Sequence, residues 1–484
     1  MAAICWDGPE REKLWRYNQH YFDDLNARDA MARTEWQKDI LLRWVEDNPP
    51  AAGSGWEPYP TSLRMVNWVK WVLAGNELPQ SCVQSLAIQA RWLMKRLEFH
   101  LLGNHLFANA KALMFAGCFF SGPEAQRWLK RGLSIIEPQL REQILSDGGH
   151  FERSTMYHAL ALEDLLDLYN LLNAFSGSDK CALVLSGRTD SLLLELRERI
   201  PGMIYWLQTM RHPDGEIALF NDAAVGIAPS CTELLDYAER LGFEVNESAQ
   251  SAATELRQSG YIRLKKGPAC LFFDAAPVGP DYLPGHAHAD TLSLEMSLFA
   301  QRIFVNSGTS EYGTGAERLR QRSTSAHNTV EVDGENSSEV WGGFRVARRA
   351  SPYEVRMQKT HDCLLASACH DGYQRLPGVV TAKRNLTLTD ESLKVEDTLD
   401  GTFESAVARF YCHPQVNVGV AEDGSVSLFL REGQEMAMNF EGAAKVSVIE
   451  STWHPRFGAS EKNHCITVEF AGSHLVSTAN WGNS

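Results

Sequence analysis

Four stretches of this 484-residue sequence gather side chains that can carry protons, hold cations or donate hydrogen bonds, each beside a glycine or proline. They are Gly103-Asn104-His105-Leu106-Phe107-Ala108-Asn109; Gly148-Gly149-His150-Phe151-Glu152-Arg153-Ser154-Thr155-Met156-Tyr157-His158; Pro213-Asp214-Gly215-Glu216 running on to Asn221-Asp222; and Gly285-His286-Ala287-His288-Ala289-Asp290, with Ser325-Ala326-His327-Asn328 further on. Side chains alternate between the faces of an extended strand. His286 and His288 would then share a face, as two metal ligands or as a ligand beside a catalytic group. A histidine hydrogen-bonded within a loop is the plainer alternative. His327, on another predicted strand, could add a third imidazole. Tyr157 falls just inside a predicted helix whose N-cap is Ser154 or Thr155, with Arg153 and His158 adjoining. A helix N-terminus and nearby cations ease formation of a phenolate, which would suit Tyr157 to work as a base; core packing is the alternative.

Asn104 is a favoured N-cap before the apolar run that follows it, and His105 could face a helical cavity from the first turn. Arg318, Arg320 and Arg322, with Arg345, Arg348 and Arg349, bring positive charge into an acidic chain. Arginines that line a cleft can clasp carboxylate or sulfate by paired hydrogen bonds, and the others are solvated surface. Trp341, Trp56 and Tyr59 could stack on sugar rings, although most such aromatics pack in cores. Arg153, Asn109, Asn221, Arg322 and Trp341 are the candidate substrate contacts.

Two textures must position these residues. Up to about residue 242, apolar residues recur at helical spacing near 11–30, 33–47, 61–75, 80–101, 106–120, 124–145, 155–174, 188–210 and 231–242, punctuated by Pro, Gly, Ser and Asp. Repeated helical pairs without a fixed sequence period suit a toroid of helical hairpins. After about residue 258, short runs rich in β-branched and aromatic residues alternate with turns, as in Arg302-Ile303-Phe304-Val305, and imply antiparallel sheets stacked as a sandwich. The expected division is a helical domain over 1–255 and a β-sandwich over 256–484, with the change falling in 243–260.

Composition narrows the partners. Lys and Arg total 46 against 61 Asp and Glu, a net charge of −15, which argues against holding nucleic acid by general electrostatic attraction. No apolar run approaches the ~18–20 residues needed to span a bilayer, so no membrane insertion is expected. Ten cysteines without a CxxC pair suit thiols in a reducing compartment. No secretory signal is visible at the N-terminus, so the cytoplasm is the default expectation, or the periplasm if that end was trimmed.

Taken in order, the segments resemble the heparinase II/III-like family of polysaccharide lyases over nearly the whole chain. The match rests on Gly285-His286-Ala287-His288-Ala289-Asp290-Thr291-Leu292-Ser293, then Phe304-Val305-Asn306-Ser307-Gly308-Thr309, then Ala326-His327-Asn328-Thr329-Val330, with support from Gly148 to Tyr157 and from Asn104-His105. The resemblance implies an incomplete (α/α) toroid followed by an antiparallel β-sandwich, with the active site in the cleft between them. It makes Tyr157 the proton-transfer residue and gives His105 or Asn104, with His286, the task of neutralising a uronate carboxylate or taking the proton. It also implies one structural zinc or other divalent ion at His288, Asn306 and His327. Asn stands here where such members carry Asp, and an amide oxygen is a poorer zinc ligand than a carboxylate.

The expected substrate is an acidic polysaccharide or oligosaccharide cleaved by β-elimination, which leaves an unsaturated uronate end. Removing the C5 proton beside a carboxylate builds a dianion, so that carboxylate must be neutralised by hydrogen-bond donors while a base takes the proton and a phenol returns one to the departing oxygen. Two rival readings stand beside this one. A glycoside hydrolase on a similar toroid would use Glu152, Asp214, Glu216 or Asp222 as acid and base. A noncatalytic glycan-binding or polymer-assembly protein would keep the fold without the reaction.

Overall fold

The computed structural model describes residues 6–175, 186–246 and 251–481. Nine α-helices precede the first strand among the described residues: α1 (Lys13–Asn18), α2 (Thr34–Asp47), α3 (Pro58–Leu73), α4 (Gln80–Met94), α5 (Gly103–Phe119), α6 (Pro123–Gln143), α7 (Thr155–Phe175), α8 (Ser186–Thr209) and α9 (Cys231–Arg240). Two of the expected spans are shorter. The stretch 11–30 yields only α1 followed by 3₁₀ turns, Asp23–Asn26 and Ala30–Arg33, because Phe22 and Asp29 take left-handed φ of 65° and 59°. The helix expected to reach residue 101 stops at Met94.

The chain forms two compact units, Met1–Gln143 with Asp164–Glu198, and Ile144–Glu163 with Arg199–Ser484. In the first, α5 is buried nearly all round, and its pairing with α6 depends on glycine at the crossing. A Cβ on Gly117 would lie 2.7 Å from the Leu129 backbone nitrogen, and one on Gly132 would lie 2.8 Å from the Ala110 carbonyl. Lys111 is tied to Asp164 and Asp167, both at 2.7 Å, within the same unit.

The second unit is built on antiparallel sheets. Five strands pair in chain order, β1 (Ala253–Leu256), β2 (Tyr261–Lys266), β3 (Ala269–Asp274), β4 (Leu294–Leu298) and β5 (Gln301–Phe304). An eight-stranded and a four-stranded sheet carry the rest of the core, joined by a two-stranded hairpin, Val340–Trp341 with Arg345–Val346. Strand Ser392–Asp400 alternates buried and half-buried residues, placing Leu393, Val395 and Leu399 in the shared core. Chemistry rides on two connections of the five-stranded sheet: residues 275–293 between β3 and β4, and residues 305–329 after β5, which include α10 (Ala316–Arg322). The expected change of texture fell in 243–260; helices run to Arg240 and strands begin at Ala253, and residues 247–250 lie outside those described.

Candidate active site

Tyr157 is delivered by a tightly fastened entry into α7. Ile144 bridges to His150, and Gly148, at φ 86°, passes so close to α8 that a Cβ would lie 2.2 Å from the Gly202 carbonyl oxygen. Arg153 turns left-handed, and its carbonyl accepts from the Tyr261 hydroxyl at 2.6 Å and the Asn221 amide at 3.1 Å. Ser154 is the cap: its Oγ accepts from the Tyr157 N–H at 3.2 Å and donates to the Asp222 carbonyl at 2.6 Å. The Tyr157 ring then lies 4.1 Å from that of His286, their planes tilted by 34°, with its hydroxyl 3.0 Å from that of Tyr312. The sequence suggested an easily formed phenolate; the structure corrects this. Burial first, then the Tyr312 hydroxyl and the Asp222 and Glu152 carboxylates, push the Tyr157 phenol well above its ordinary value, so it is a phenol at neutral pH.

His286 and His288 lie in a loop rather than on the expected strand, and the turn before Val330–Val332 holds His327. What gives His286 and His288 a common orientation is Asp222, fully buried. Its carboxylate accepts from His286 Nδ1 at 2.8 Å and from His288 Nε2 at 2.9 Å, and both Arg318 terminal nitrogens donate to it, one of them at 2.7 Å. Burial opposes that charge, but the Arg318 guanidinium and the two imidazole hydrogen bonds more than offset it, and hold Asp222 well below the usual carboxylate range. Asp222 therefore stays ionised and fixes the His286 proton on Nδ1, leaving Nε2 as an acceptor. Glu152 lies 3.6 Å from that Nε2. The His286 side chain is 16% exposed, enough for solvent or a ligand to reach it.

Behind this pair, His288 Nδ1 faces His327 Nε2 at 3.3 Å, and His327 Nδ1 faces the Asn306 Oδ1 at 3.2 Å. Burial pushes both imidazoles down, so both are neutral. Asn306 is fully buried, its N–H donates to Glu295 at 2.8 Å, and its side-chain NH₂ has no hydrogen-bond partner among the described residues. The potential ligand atoms of His288, Asp290 and His327 all lie within 4.8 Å of one another. This donor set fits a divalent ion of the zinc type.

The other candidates separate. In the first unit, Asn104 is not the cap; Leu102 holds that position and Asn104 sits inside the first turn of α5. The His105 ring lies 4.5 Å from that of Tyr59, tilted to it, and its Nδ1 pairs with Glu98 at 3.2 Å. Asn109 is fully buried and donates to Glu98 at 3.0 Å and to Ser62 at 3.1 Å, so it orients Glu98 rather than meeting a ligand. Trp56 is core, with its indole N–H on the Asn48 carbonyl. In the second unit, Arg322 is sealed, with its fork on the carbonyls of Ala287 and Gly342, and it pins loops instead of clasping substrate. Asn221, at φ 58°, accepts from the His288 N–H at 3.0 Å and is likewise a positioning residue. Burial lowers the Arg153 guanidinium, which donates to the Phe151 carbonyl. Trp341 is 57% exposed on the two-stranded hairpin, whose turn carries Phe344 to 5.8 Å from His286. Sequence reasoning passed over Tyr312 and Phe344 altogether, weighed Asp222 as a hydrolytic acid, and weighed Arg318 as surface charge or as a clasp for a substrate's acidic groups, not as the partner of Asp222. The pairing of an acidic residue at 222 with histidines some 64 residues on leaves no local signal.

Residues 24–238 match the family profile described as Heparinase II/III N-terminus, and residues 249–481 the one described as Heparinase II/III-like, C-terminal. A heparin-sulfate lyase of Bacteroides stercoris is 25% identical over 399 residues, covering 68% of this chain and 55% of that protein. The FtsZ-localized protein C of Caulobacter vibrioides is 27% identical over 366 residues, covering 71% of this chain and 58% of that protein. The chain thus spans little more than half the length of these relatives. A crystal structure of heparinase III superposes with a TM-score of 0.75 at 17% identity, over 99% of this chain and 80% of its own. At that identity the likeness concerns the fold, a toroid of helical hairpins and an antiparallel β-sandwich.

Proposed function

The chain belongs to the heparinase II/III-like family, and from that premise we propose that it is a polysaccharide lyase, cleaving a uronate-containing glycan by β-elimination. The observation that carries the proposal is the Tyr157 ring lying 4.1 Å from that of His286, with Asp222 orienting the imidazole at 2.8 Å. A phenol kept protonated beside an imidazole with a lone pair on Nε2 is an acid and a base side by side.

In the proposed reaction His286 Nε2 removes the C5 proton of the uronate. The electron pair forms the C4–C5 double bond, the C4–O4 bond breaks, and the Tyr157 hydroxyl protonates the departing O4. The proton on His286 then returns to the Tyr157 oxygen, which restores both groups. Tyr312, hydrogen-bonded to the Tyr157 hydroxyl, supports the charge on that oxygen during the transfer. The resemblance gives Asn104 and His105, in the first unit, the task of pairing with the uronate carboxylate. A divalent ion held by His288 and His327 would supply fixed positive charge that orders their loops, and no step passes through it. Asp222 is ion-paired with Arg318, which removes it from the hydrolytic acids of the rival reading.

The relatives named as heparin-sulfate lyases direct the first trials to sulfated uronate polymers. Incubation with a panel of acidic polysaccharides should raise the ultraviolet absorbance of an unsaturated uronate in step with new chain ends. New reducing ends without that absorbance would mean hydrolysis, and binding without either signal would mean a noncatalytic protein.

A further inference from the structure

The two-stranded hairpin takes no part in the elimination proposed above, yet it holds two large aromatic rings in solvent. Trp341 is 57% and Phe344 42% exposed, within four residues of each other. The turn that carries them is fixed. Gly342 takes φ 54°, and a Cβ on Gly343 would lie 2.7 Å from the Gly313 carbonyl oxygen. Two fully buried guanidiniums grip it: Arg322 donates to the Gly342 carbonyl at 3.1 Å, and Arg318 to that of Gly343 at 3.0 and 3.1 Å. Arg318 also holds Asp222, so the turn and the partner that orients His286 share one anchor. Trp341 pairs directly across the hairpin with Arg345. Residues opposite each other in an antiparallel pair project from the same face with Cβ atoms about 4.5–5.5 Å apart, which sets an exposed indole beside an exposed guanidinium. Arg348 and Arg349 are answered by Glu339 and Asp281, whereas Arg345 makes no ion pair among the described residues.

We propose that Trp341 and Arg345 form a subsite for an acidic sugar next to the one that reacts, with Phe344 as the wall between the two. The indole takes the apolar C–H face of the ring, and the Arg345 fork takes its carboxylate or sulfate. Phe344 immediately precedes Arg345 and lies 5.8 Å from His286, which makes the platform continuous with the proposed base. The inference rests on the lyase reading only in placing the reacting sugar at His286. Because the turn is anchored before any ligand arrives, little ordering opposes binding, and the subsite acts on affinity more than on turnover.

The test is binding by the full chain, measured by calorimetry in a Tyr157→Phe background so that the ligand survives. Hexasaccharides of heparan sulfate, chondroitin sulfate and alginate, with a neutral cellohexaose as control, are the probes. Arg345→Gln should weaken the best acidic ligand by about 5- to 20-fold at low salt, and Arg345→Lys by less, since it keeps the charge without the fork. That loss should shrink in 0.5 M NaCl, where exposed charges are screened. Trp341→Ala should weaken the same ligand by about 3- to 10-fold at either salt concentration, because stacking carries no net charge. Both side chains are exposed, and an unchanged melting temperature separates lost binding from lost folding. Affinity unchanged in both variants, or no acidic hexasaccharide bound at all, would overturn the subsite. A loss on Arg345→Gln that is equal for cellohexaose would overturn its assignment to an acidic sugar, and a Trp341→Ala loss that vanishes at high salt would overturn the stacking role. Losses of the expected pattern without any unsaturated uronate from the parent enzyme would leave the subsite standing and remove the lyase reading. Turnover and KM unchanged on a cleaved polymer in both variants would do the reverse.

Discussion

Tyr157 and Asp222 affect the proposed reaction in ways that separate chemistry from framework. The Tyr157 side chain meets the His286 ring at 4.1 Å and makes one hydroxyl contact, to Tyr312, so removing the hydroxyl costs little structure. Tyr157→Phe should lower kcat by at least about 100-fold, with KM and the melting temperature nearly unchanged. Asp222→Asn should lower kcat as well, because the amide no longer dictates which His286 nitrogen carries the proton. Unlike Tyr157→Phe, it leaves the Arg318 guanidinium buried without its counter-ion, which costs roughly 3–5 kcal/mol of stability. Steady-state kinetics beside urea unfolding distinguishes the two, and a Tyr157→Phe enzyme with wild-type turnover would remove Tyr157 from the mechanism. The types of the proposed reacting groups stood out in the sequence because tyrosine and histidine lie in short, unusual strings beside glycine. The state of Tyr157 was not. Helix end and neighbouring cations pointed to a lowered pKa, whereas burial, which depends on residues such as Tyr312 far along the chain, decides it in the opposite sense.

At the scale of elements, the site depends on how α7 begins. The turn at Gly148 takes φ 86° and lies against the Gly202 carbonyl, so an added methyl group meets both a disfavoured conformation and a backbone atom. Gly148→Ala should destabilise the protein by more than about 1 kcal/mol and, by shifting the entry to α7, reduce turnover even in the fraction that stays folded. A variant with unchanged unfolding midpoint and unchanged kcat would show that this turn does not set the position of Tyr157. Helix existence was readable here from the spacing of Leu162, Leu165, Leu166 and Leu168, all buried. The Ser154 cap was narrowed to two residues because its choice rests on a hydrogen bond to the Asp222 carbonyl, 68 residues away. The strand expected for His286 and His288 failed for a similar reason. Alternation alone cannot tell an edge strand from a loop held straight by side-chain bonds to Asp222 and Asn221.

For the whole molecule, the change from helical to strand texture was plain in the sequence, but the grouping of residues 144–163 with the sheet-built unit was not, since only tertiary contacts assign a helix entry to a body. The same burial that organises both bodies sets their response to acid. His150, His158 and His370 are pushed by burial down to about 3, and His20 to about 4, so the folded chain keeps them neutral where the unfolded chain, at about 6.5, would take up protons. For a base with a lowered folded pKa, the unfolded state binds more protons below 6.5, and stability is lost as pH falls from 6.5 toward 3, by about 1.4 kcal/mol per pH unit for each group. Carboxyls such as Asp274, pushed far up by burial, act in the opposite direction, so the net slope is a poor test. A single substitution isolates one histidine, because every other group cancels. His370, 1% exposed, accepts from the Gly372 N–H at 3.1 Å through Nδ1, and glutamine can offer an oxygen in its place. His370→Gln should therefore cost some stability at pH 7.5, where no proton is at stake. At pH 5 it should cost about 2 kcal/mol less, since the wild type alone has by then lost the contribution of a neutral imidazole. Urea unfolding of both proteins at the two pH values measures that difference of differences, and an equal penalty at pH 7.5 and pH 5 would mean that His370 does not resist protonation in the fold.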